Sequence, residues 1–213
     1  MLFRSRHLAG AGWPVYATAR RVETLTELAQ AGCRVLPLDV TDDDSMRGVI
    51  ATIERDHGAV GVLINNAGFS QSGAIEGIPL QRAREQFETN VFGPMRLIQL
   101  AAPGMRRQRW GRIVNLSSMG GKLTFPGGGY YHATKYAIEA LSDVLRFELS
   151  GFGIEVVIIE PGLIRTRFGE ALAARMLEML RSVGVTDARV GIADGGFAAR
   201  CAATPRRRPS TRG

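Results

Sequence analysis

Apolar positions follow two alternating patterns along most of the chain: short runs of strand length, and longer stretches in which they recur every three or four residues. The short runs cover residues 13–19, 33–40, 60–64, 112–116 and 154–159. The longer stretches predict helices over 24–32, 41–56, 79–107 and 130–149; in the third, Phe87, Val91, Met95, Ile98 and Ala102 share one face. Thr24 and Glu27 have capping-box spacing, and Gly32 suits the position after a helix end. Thr41-Asp-Asp-Asp44 supplies an N-cap and negative charge at the next helix start. Asn65-Asn-Ala-Gly68 breaks the third strand sharply, Gly111 punctuates the long helix, and Pro161-Gly162 stops the fifth strand. Strands alternating with helical stretches predict an α/β domain with a parallel sheet and crossover helices.

After Phe168 the pattern weakens. Leu172, Met176, Leu177 and Leu180 mark an amphipathic helix, 183–192 reads as a weak strand, and 193–213 as a loose end. The expected organisation is one incomplete domain over 1–182 and an irregular basic tail over 183–213.

A length of 213 residues suits a single domain, and 45% apolar and 22% charged residues with 26 glycines exclude a disordered chain or a fibre. No run of 18 apolar residues occurs and residues 1–7 lack the apolar centre of a signal peptide, so a cytoplasmic protein without a membrane partner is expected. Cys33 and Cys201 are too few for a disulfide scaffold and have no metal-ligand spacing to His7, His57 or His132, so no metal site is expected. The net charge of +7 invites a nucleic-acid reading, but Arg206, Arg207, Arg208 and Arg212 supply four of those charges from a tail containing Pro, Ser and Gly. That tail reads as a solvated segment, with a polyanion-binding arm as the alternative; no nucleic-acid partner is expected.

The sharpest chemical feature is Tyr131-His-Ala-Thr-Lys135. Its Tyr and Lys lie four residues apart at a helix start and share one face. A free phenol titrates near ~10, and an adjacent ammonium favours the phenolate. The same spacing also occurs in plain surface pairs, so context matters. Ser118 ends a strand thirteen residues before Tyr131, with a Gly-rich loop between them, and strand carboxyl ends are where open α/β sheets place ligands. Asn90 stands inside a helical pattern it does not favour, which points to a kink or a polar network. No Gly-x-Ser-x-Gly elbow surrounds Ser117 or Ser118, which excludes an α/β-hydrolase triad.

Leu38-Asp-Val40, Asn65-Asn-Ala-Gly68, Asn90-Val91, Ile113-Val-Asn-Leu-Ser-Ser118, Tyr131-x-x-x-Lys135 and Pro161-Gly162 with Thr166 form an ordered set, in which the chain resembles the classical short-chain dehydrogenases/reductases over residues 8–168. The resemblance implies a Rossmann-like doubly wound parallel sheet with helices on both faces. It also implies hydride transfer between a nicotinamide cofactor and a secondary alcohol or ketone. Tyr131 would be the general acid/base and Ser118 would hold the carbonyl oxygen. Lys135 would bind the nicotinamide ribose and depress the phenol's pKa, and Asn90 would hold a relay water. Ser118 rather than Ser117 matches the family's spacing, and Tyr131 rather than Tyr130 lies four residues from Lys135.

For the cofactor, the resemblance puts Asp39 and Val40 on the adenine, Asn66, Ala67 and Gly68 along the adjoining strand end, Thr166 near the carboxamide, and Pro161 and Gly162 beside it. Where an acidic residue would hold the ribose of NAD, this chain has Ala19-Arg20-Arg21, and the guanidinium groups of Arg20 and Arg21 suit a 2′-phosphate, favouring NADP over NAD. Other readings stay open: Asp39 as a neighbour of Thr41 at a helix cap, 65–68 as a plain turn, and both arginines as a solvated turn. The loop 120–129, with Leu123 and Phe125, and the chain from Phe168 onward would line an apolar substrate side, leaning toward a steroid-like or retinoid-like alcohol or ketone. Family members pair through the helices carrying Asn90 and Tyr131, so a homodimer or homotetramer is expected.

The family also begins with a strand and a Thr-Gly-x-x-x-Gly-x-Gly loop that receives the pyrophosphate. This chain shows neither. Leu8-Ala-Gly-Ala-Gly12 directly precedes the family's second strand, so Gly10 and Gly12 read as the end of a helix. The absent strand is the central one of the 3-2-1-4-5-6 order, which predicts a gap between 13–19 and 60–64 with two exposed strand edges. The sequence thus reads as truncated at its start and atypical after Phe168. The alternative function is a non-catalytic fragment or relic unable to hold the pyrophosphate.

Overall fold

In the computed structural model, which describes residues 2–162 and the backbone of 189–193 and 196–200, the two periodic patterns become a parallel α/β arrangement. Helix α1 (Leu2–Gly10) precedes β1 (Tyr16–Ala19), and a 3-10 turn (Val22–Leu25) runs into the short α2 (Thr26–Gln30). Then come β2 (Arg34–Pro37), α3 (Asp43–His57) and β3 (Val62–Asn65). After them follow α4 (Leu80–Phe87), α5 (Gly93–Gln108), β4 (Gly111–Leu116), α6 (Gly129–Ser150) and β5 (Ile154–Ile159).

Local chemistry sets most boundaries. Asp42 is the N-cap of α3, its carboxylate accepting from the Ser45 amide at 2.9 Å, and Asp43 and Asp44 follow in the positively polarised first turn. Gly12 and Gly32 adopt φ of +83° and +87° after α1 and α2, a conformation that glycine enters without steric cost. The Thr24–Glu27 capping box does not form. Thr24 lies inside the 3-10 turn and its hydroxyl donates to the Arg21 carbonyl at 2.7 Å, while Leu25 begins α2 without a side-chain cap.

The long helical period over 79–107 is not one α-helix. A π-helical turn, Glu88–Phe92, joins α4 to α5 and carries Asn90, which is only 2% exposed. Such a turn accommodates an extra residue and shifts the side chains that follow, and it often sits at a functional site.

The sheet is in two parts. β1 and β2 pair in parallel with Tyr16 opposite Arg34, and β3, β4 and β5 form a second parallel set with Asn65 opposite Asn115 and Leu116 opposite Ile159. Among the described residues no pairing joins β1 to β3, which is the gap expected from the sequence. Its physical consequence is visible on β3: Ile64 is 38% exposed, whereas Ile113 on the central β4 is fully buried. One core joins Met46 and Ile50 of α3, Leu97, Ala101 and Met105 of α5, Ile113 of β4 and Ile154 and Val156 of β5. Each of these Ile, Leu, Met and Val side chains contributes roughly 1.5–3 kcal/mol by leaving water. A smaller cluster of Ala17, Leu25, Leu28 and Cys33 holds β1, β2 and α2 together.

Two antiparallel strands, β6 (Arg189–Ala193) and β7 (Gly196–Arg200), lie in the stretch that the sequence reading left as a weak strand and a loose end. Asp194-Gly195 between them is the dipeptide that two-residue hairpin connections favour, a sequence signal for this pair. The amphipathic stretch after Phe168, Thr166 and the arginine-rich tail lie outside the described residues. No helix among the described residues is long and apolar enough to cross a membrane.

Candidate active site

The carboxyl ends of β4 and β5 meet the first turn of α6. The pairing of β4 with β5 carries past the strands: the Ser117 amide donates to the Ile159 carbonyl at 2.8 Å and the Met119 amide to the Pro161 carbonyl at 3.0 Å. This holds the backbone around Ser118. The Ser118 hydroxyl oxygen accepts from the Gly120 amide at 3.1 Å, and the hydroxyl is hydrogen-bonded to the Tyr131 phenol. Neighbouring Ser117 turns into the protein, where it is buried and its Oγ has no hydrogen-bond partner among the described residues.

Lys135 lies one turn beyond Tyr131. Its Nζ donates to the Leu116 carbonyl at 2.7 Å and stands 5.7 Å from the centre of the Tyr131 ring. Burial pushes its pKa down from the ordinary lysine value to about 8, and the negative charge of Glu139, one further turn along α6, opposes that drop. The Tyr131 phenol lies above its ordinary value, because burial outweighs the bond from Ser118. Burial is thus the larger of these two influences on the phenol in this arrangement.

Asn90 satisfies both readings left open for it: the helix is distorted there, and the side chain is the hub of a polar network. Its Oδ1 accepts from the Phe69 amide at 3.0 Å, and its Nδ2 donates to the Phe69 carbonyl at 2.9 Å and to Thr134 Oγ1 at 3.1 Å. The Thr134 hydroxyl in turn donates to the Tyr131 carbonyl at 2.7 Å. The loop after β3, the π-helical turn and the start of α6 are thereby tied to one amide.

A cleft of about 240 Å³ opens between the ends of β1 and β3. Arg20, Asp39, Val40, Asn66, Ala67 and Gly68 all line it, together with Ile64 and Asn65. Asp39 Oδ1 accepts from the Thr41 amide at 2.9 Å and its hydroxyl at 2.7 Å, and these bonds, with the charge of Arg20, hold the carboxyl below its usual range. Asp39 is thus both a partner of Thr41 and a wall of the cleft. Arg21 is exposed and does not line the cleft; its carbonyl receives Thr24 instead. Pro161 stands beside Ser118 through its bond to Met119, Gly162 is exposed, and Thr166 lies outside the described residues.

The sequence reading missed three groups. Thr134 links Asn90 to Tyr131, and His132 holds the loop before α6. A buried chain also crosses the second sheet part, from Asn65 Nδ2 to Asn115 Oδ1 at 2.9 Å and from Asn115 Nδ2 to Ser142 Oγ at 2.8 Å. An asparagine within the apolar run of β4 was the available signal, since a buried amide requires partners.

A parallel sheet with a serine, tyrosine and lysine at its carboxyl edge, beside a cleft at the strand ends, defines a Rossmann-type oxidoreductase architecture. The chain belongs to the short-chain dehydrogenase family, whose profile matches residues 3–176. It is 34% identical over 161 residues to a short-chain type dehydrogenase/reductase of Helicobacter pylori, covering 76% of this chain and 59% of that protein. It is 36% identical over 162 residues to a 3-ketodihydrosphingosine reductase of Bacteroides thetaiotaomicron, covering 76% and 58%. The chain therefore spans under two thirds of the length of these relatives. Among solved structures, a short-chain dehydrogenase from Streptomyces avermitilis superposes with a TM-score of 0.73 at 44% identity, covering 78% of this chain and 64% of that one. A metagenomic short-chain oxidoreductase in complex with NADP gives 0.70 at 28% identity, covering 76% and 75%, and an NAD+-bound xylitol dehydrogenase gives 0.77 at 27%, covering 87% and 73%.

Proposed function

We propose that this chain carries the reacting residues of an NADP(H)-dependent oxidoreductase that interconverts a hydrophobic secondary alcohol and its ketone, with Tyr131 as general acid/base. The observation that carries this reading is the Ser118–Tyr131 hydrogen bond beside a buried Lys135 whose pKa lies at about 8. In the direction of reduction, Ser118 donates a hydrogen bond to the carbonyl oxygen and Tyr131 delivers its phenolic proton to that same oxygen. The phenol's elevated pKa keeps it protonated and ready to act as the acid near neutrality. Lys135, whose Nζ stands 5.7 Å from the centre of the Tyr131 ring, can return a proton because its own pKa is near the working pH. Asn90 ties the start of α6 to the loop after β3 through Thr134, and it would hold the relay water that the family resemblance implies.

A bound nicotinamide supplies or accepts the hydride at the substrate carbon. The cleft fits the adenosine end of such a cofactor: Val40 and Ile64 offer apolar walls to a flat base, Asp39 an acceptor and Arg20 a cation for a 2′-phosphate. Arg20 favours NADP, while solved relatives hold NADP in one case and NAD+ in another. Lys135 would hold the nicotinamide ribose, and Pro161, Gly162 and Thr166 would adjoin the ring. An apolar substrate is supported by Leu123 and Phe125, 53% and 46% exposed on the loop before Tyr131, and by the 3-ketodihydrosphingosine named for the Bacteroides relative. A homodimer or homotetramer is supported by Tyr136, Val144 and Phe147, which expose 44%, 54% and 83% of their surface along one stripe of α6. One domain over 1–182 followed by a basic tail over 183–213 remains the organisation we favour.

The test is a fluorescence and thermal-shift titration of the 213-residue chain with NADPH and NADH, followed by reduction assays on wild type and Tyr131→Phe. Saturable binding that prefers NADPH, and turnover lost in Tyr131→Phe, are expected. No saturation with either nucleotide would overturn the reading, and equal affinities would overturn its NADP part.

A further inference from the structure

The loop 119–128 separates Ser118 from the helix that carries Tyr131, and one side chain fastens it from within. His132, 6% exposed in the first turn of α6, uses both ring nitrogens on loop backbone. Its Nδ1 lies 3.0 Å from the Gly120 carbonyl oxygen, and its Nε2 lies 3.1 Å from the Phe125 amide nitrogen. An amide N–H can only donate, so Nε2 must present its lone pair; a carbonyl can only accept, so Nδ1 must carry the proton. The surroundings thus select a single tautomer of the neutral ring. The fit leaves no spare room. A methyl group at Gly120 would stand 2.7 Å from Nδ1 and one at Gly128 would stand 2.6 Å from Nε2, so glycine at both loop ends is what lets the ring enter.

This contact reaches the reacting groups. His132 holds the Gly120 carbonyl, the Gly120 amide donates to Ser118 Oγ at 3.1 Å, and Ser118 is bonded to Tyr131. With the loop amide occupying an acceptor position on Ser118 Oγ, the serine's own proton is directed to its other partners. At the opposite end of the ring, His132 fixes the backbone of Phe125, whose ring centre lies 5.5 Å away. We propose that His132 is a positioning residue, a neutral Nδ1-protonated imidazole that clasps the loop 119–128 and so sets both the Ser118 hydroxyl and the apolar wall at Phe125. Its kinetic consequences rest on the reading of Ser118 and Tyr131 as the reacting pair; the clasp itself does not.

Each end can be removed separately. In His132→Asn the amide NH2 takes the place of Nδ1–H and keeps the Gly120 end; in His132→Gln the amide oxygen takes the place of Nε2 and keeps the Phe125 end; His132→Leu keeps only volume. Long-range 15N–1H spectra of the uniformly labelled wild-type chain should show His132 as the Nδ1–H tautomer, and the Nε2–H tautomer would overturn the proposal without any variant. Hydrogen exchange at the Phe125 amide should speed up at least tenfold in His132→Asn and His132→Leu but stay near wild type in His132→Gln; equal rates in all four proteins would overturn it. With NADPH and acetophenone, His132→Asn should raise KM at least fivefold with kcat nearly kept, whereas His132→Gln should lower kcat at similar KM. The same effect of both changes on both constants would assign His132 a general structural role and defeat the proposal. If the wild type reduces no ketone, the functional reading fails while the tautomer and exchange measurements still decide the clasp.

Discussion

Lys135 offers a direct test of the site's electrostatics. The residue is only 7% exposed, its ammonium donates to the Leu116 carbonyl, and burial lowers its pKa from 10.5 to about 8. A difference of that size corresponds to about 3 kcal/mol at ~1.36 kcal/mol per pKa unit. Below pH 8 both the folded and unfolded chains hold the proton, and the folded state bears the full cost of an ammonium out of water. Between pH 8 and 10.5 the unfolded chain still binds a proton that the folded chain has released, so stability rises with pH through this window. Lys135→Met keeps the apolar stem and removes the titration. Urea unfolding of both proteins at pH 7, 8, 9 and 10, with matching m-values, isolates this group because other titrations cancel in the difference. Relative to Lys135→Met, the wild type should gain about 2–3 kcal/mol between pH 7 and pH 10. A difference that is flat with pH, or that moves against the wild type, would refute burial as the dominant influence on Lys135.

Three further outcomes follow from particular contacts. Asn90→Ala removes the partners of the Phe69 amide and carbonyl and of Thr134, and should cost about 2–4 kcal/mol in urea unfolding, since buried polar groups are left unpaired. Gly93→Ala would bring a methyl group to 2.5 Å from the Val40 carbonyl oxygen, pushing α5 off the loop after β2; a loss of about 1–3 kcal/mol is expected, and an unchanged melting temperature would contradict the packing. Arg20→Ala should weaken NADPH binding about tenfold by fluorescence titration with little change for NADH, as fits loss of one charge-assisted phosphate contact, while Arg21→Ala, outside the cleft, should leave both affinities unchanged.

The sequence alone determined the alternation and order of most strands and helices between residues 13 and 159. Periodicity is a local property, so the runs at 112–116 and 154–159 became β4 and β5 almost residue for residue, and Gly12 and Gly32 marked helix ends that they do occupy. The spacing of Tyr131 and Lys135 placed them on one helix face, and the order of motifs foretold that β1 and β3 do not pair with each other among the described residues. Tertiary structure decided the rest. Whether Thr24 caps a helix or closes a 3-10 turn depends on how the chain leaves β1, and an unbroken 3.6-residue period cannot reveal the extra residue of the π-helical turn at Asn90. Only the parallel register of β4 with β5 and the return of the loop 119–128 bring Ser118 to Tyr131. Burial, a property of the assembled core, is the main influence on the pKa of Lys135, and the loop's Gly120 carbonyl and Phe125 amide decide which nitrogen of His132 holds the proton. These outcomes depend on groups far apart in sequence, where desolvation and hydrogen-bond pairing act through space and leave no periodic trace along the chain.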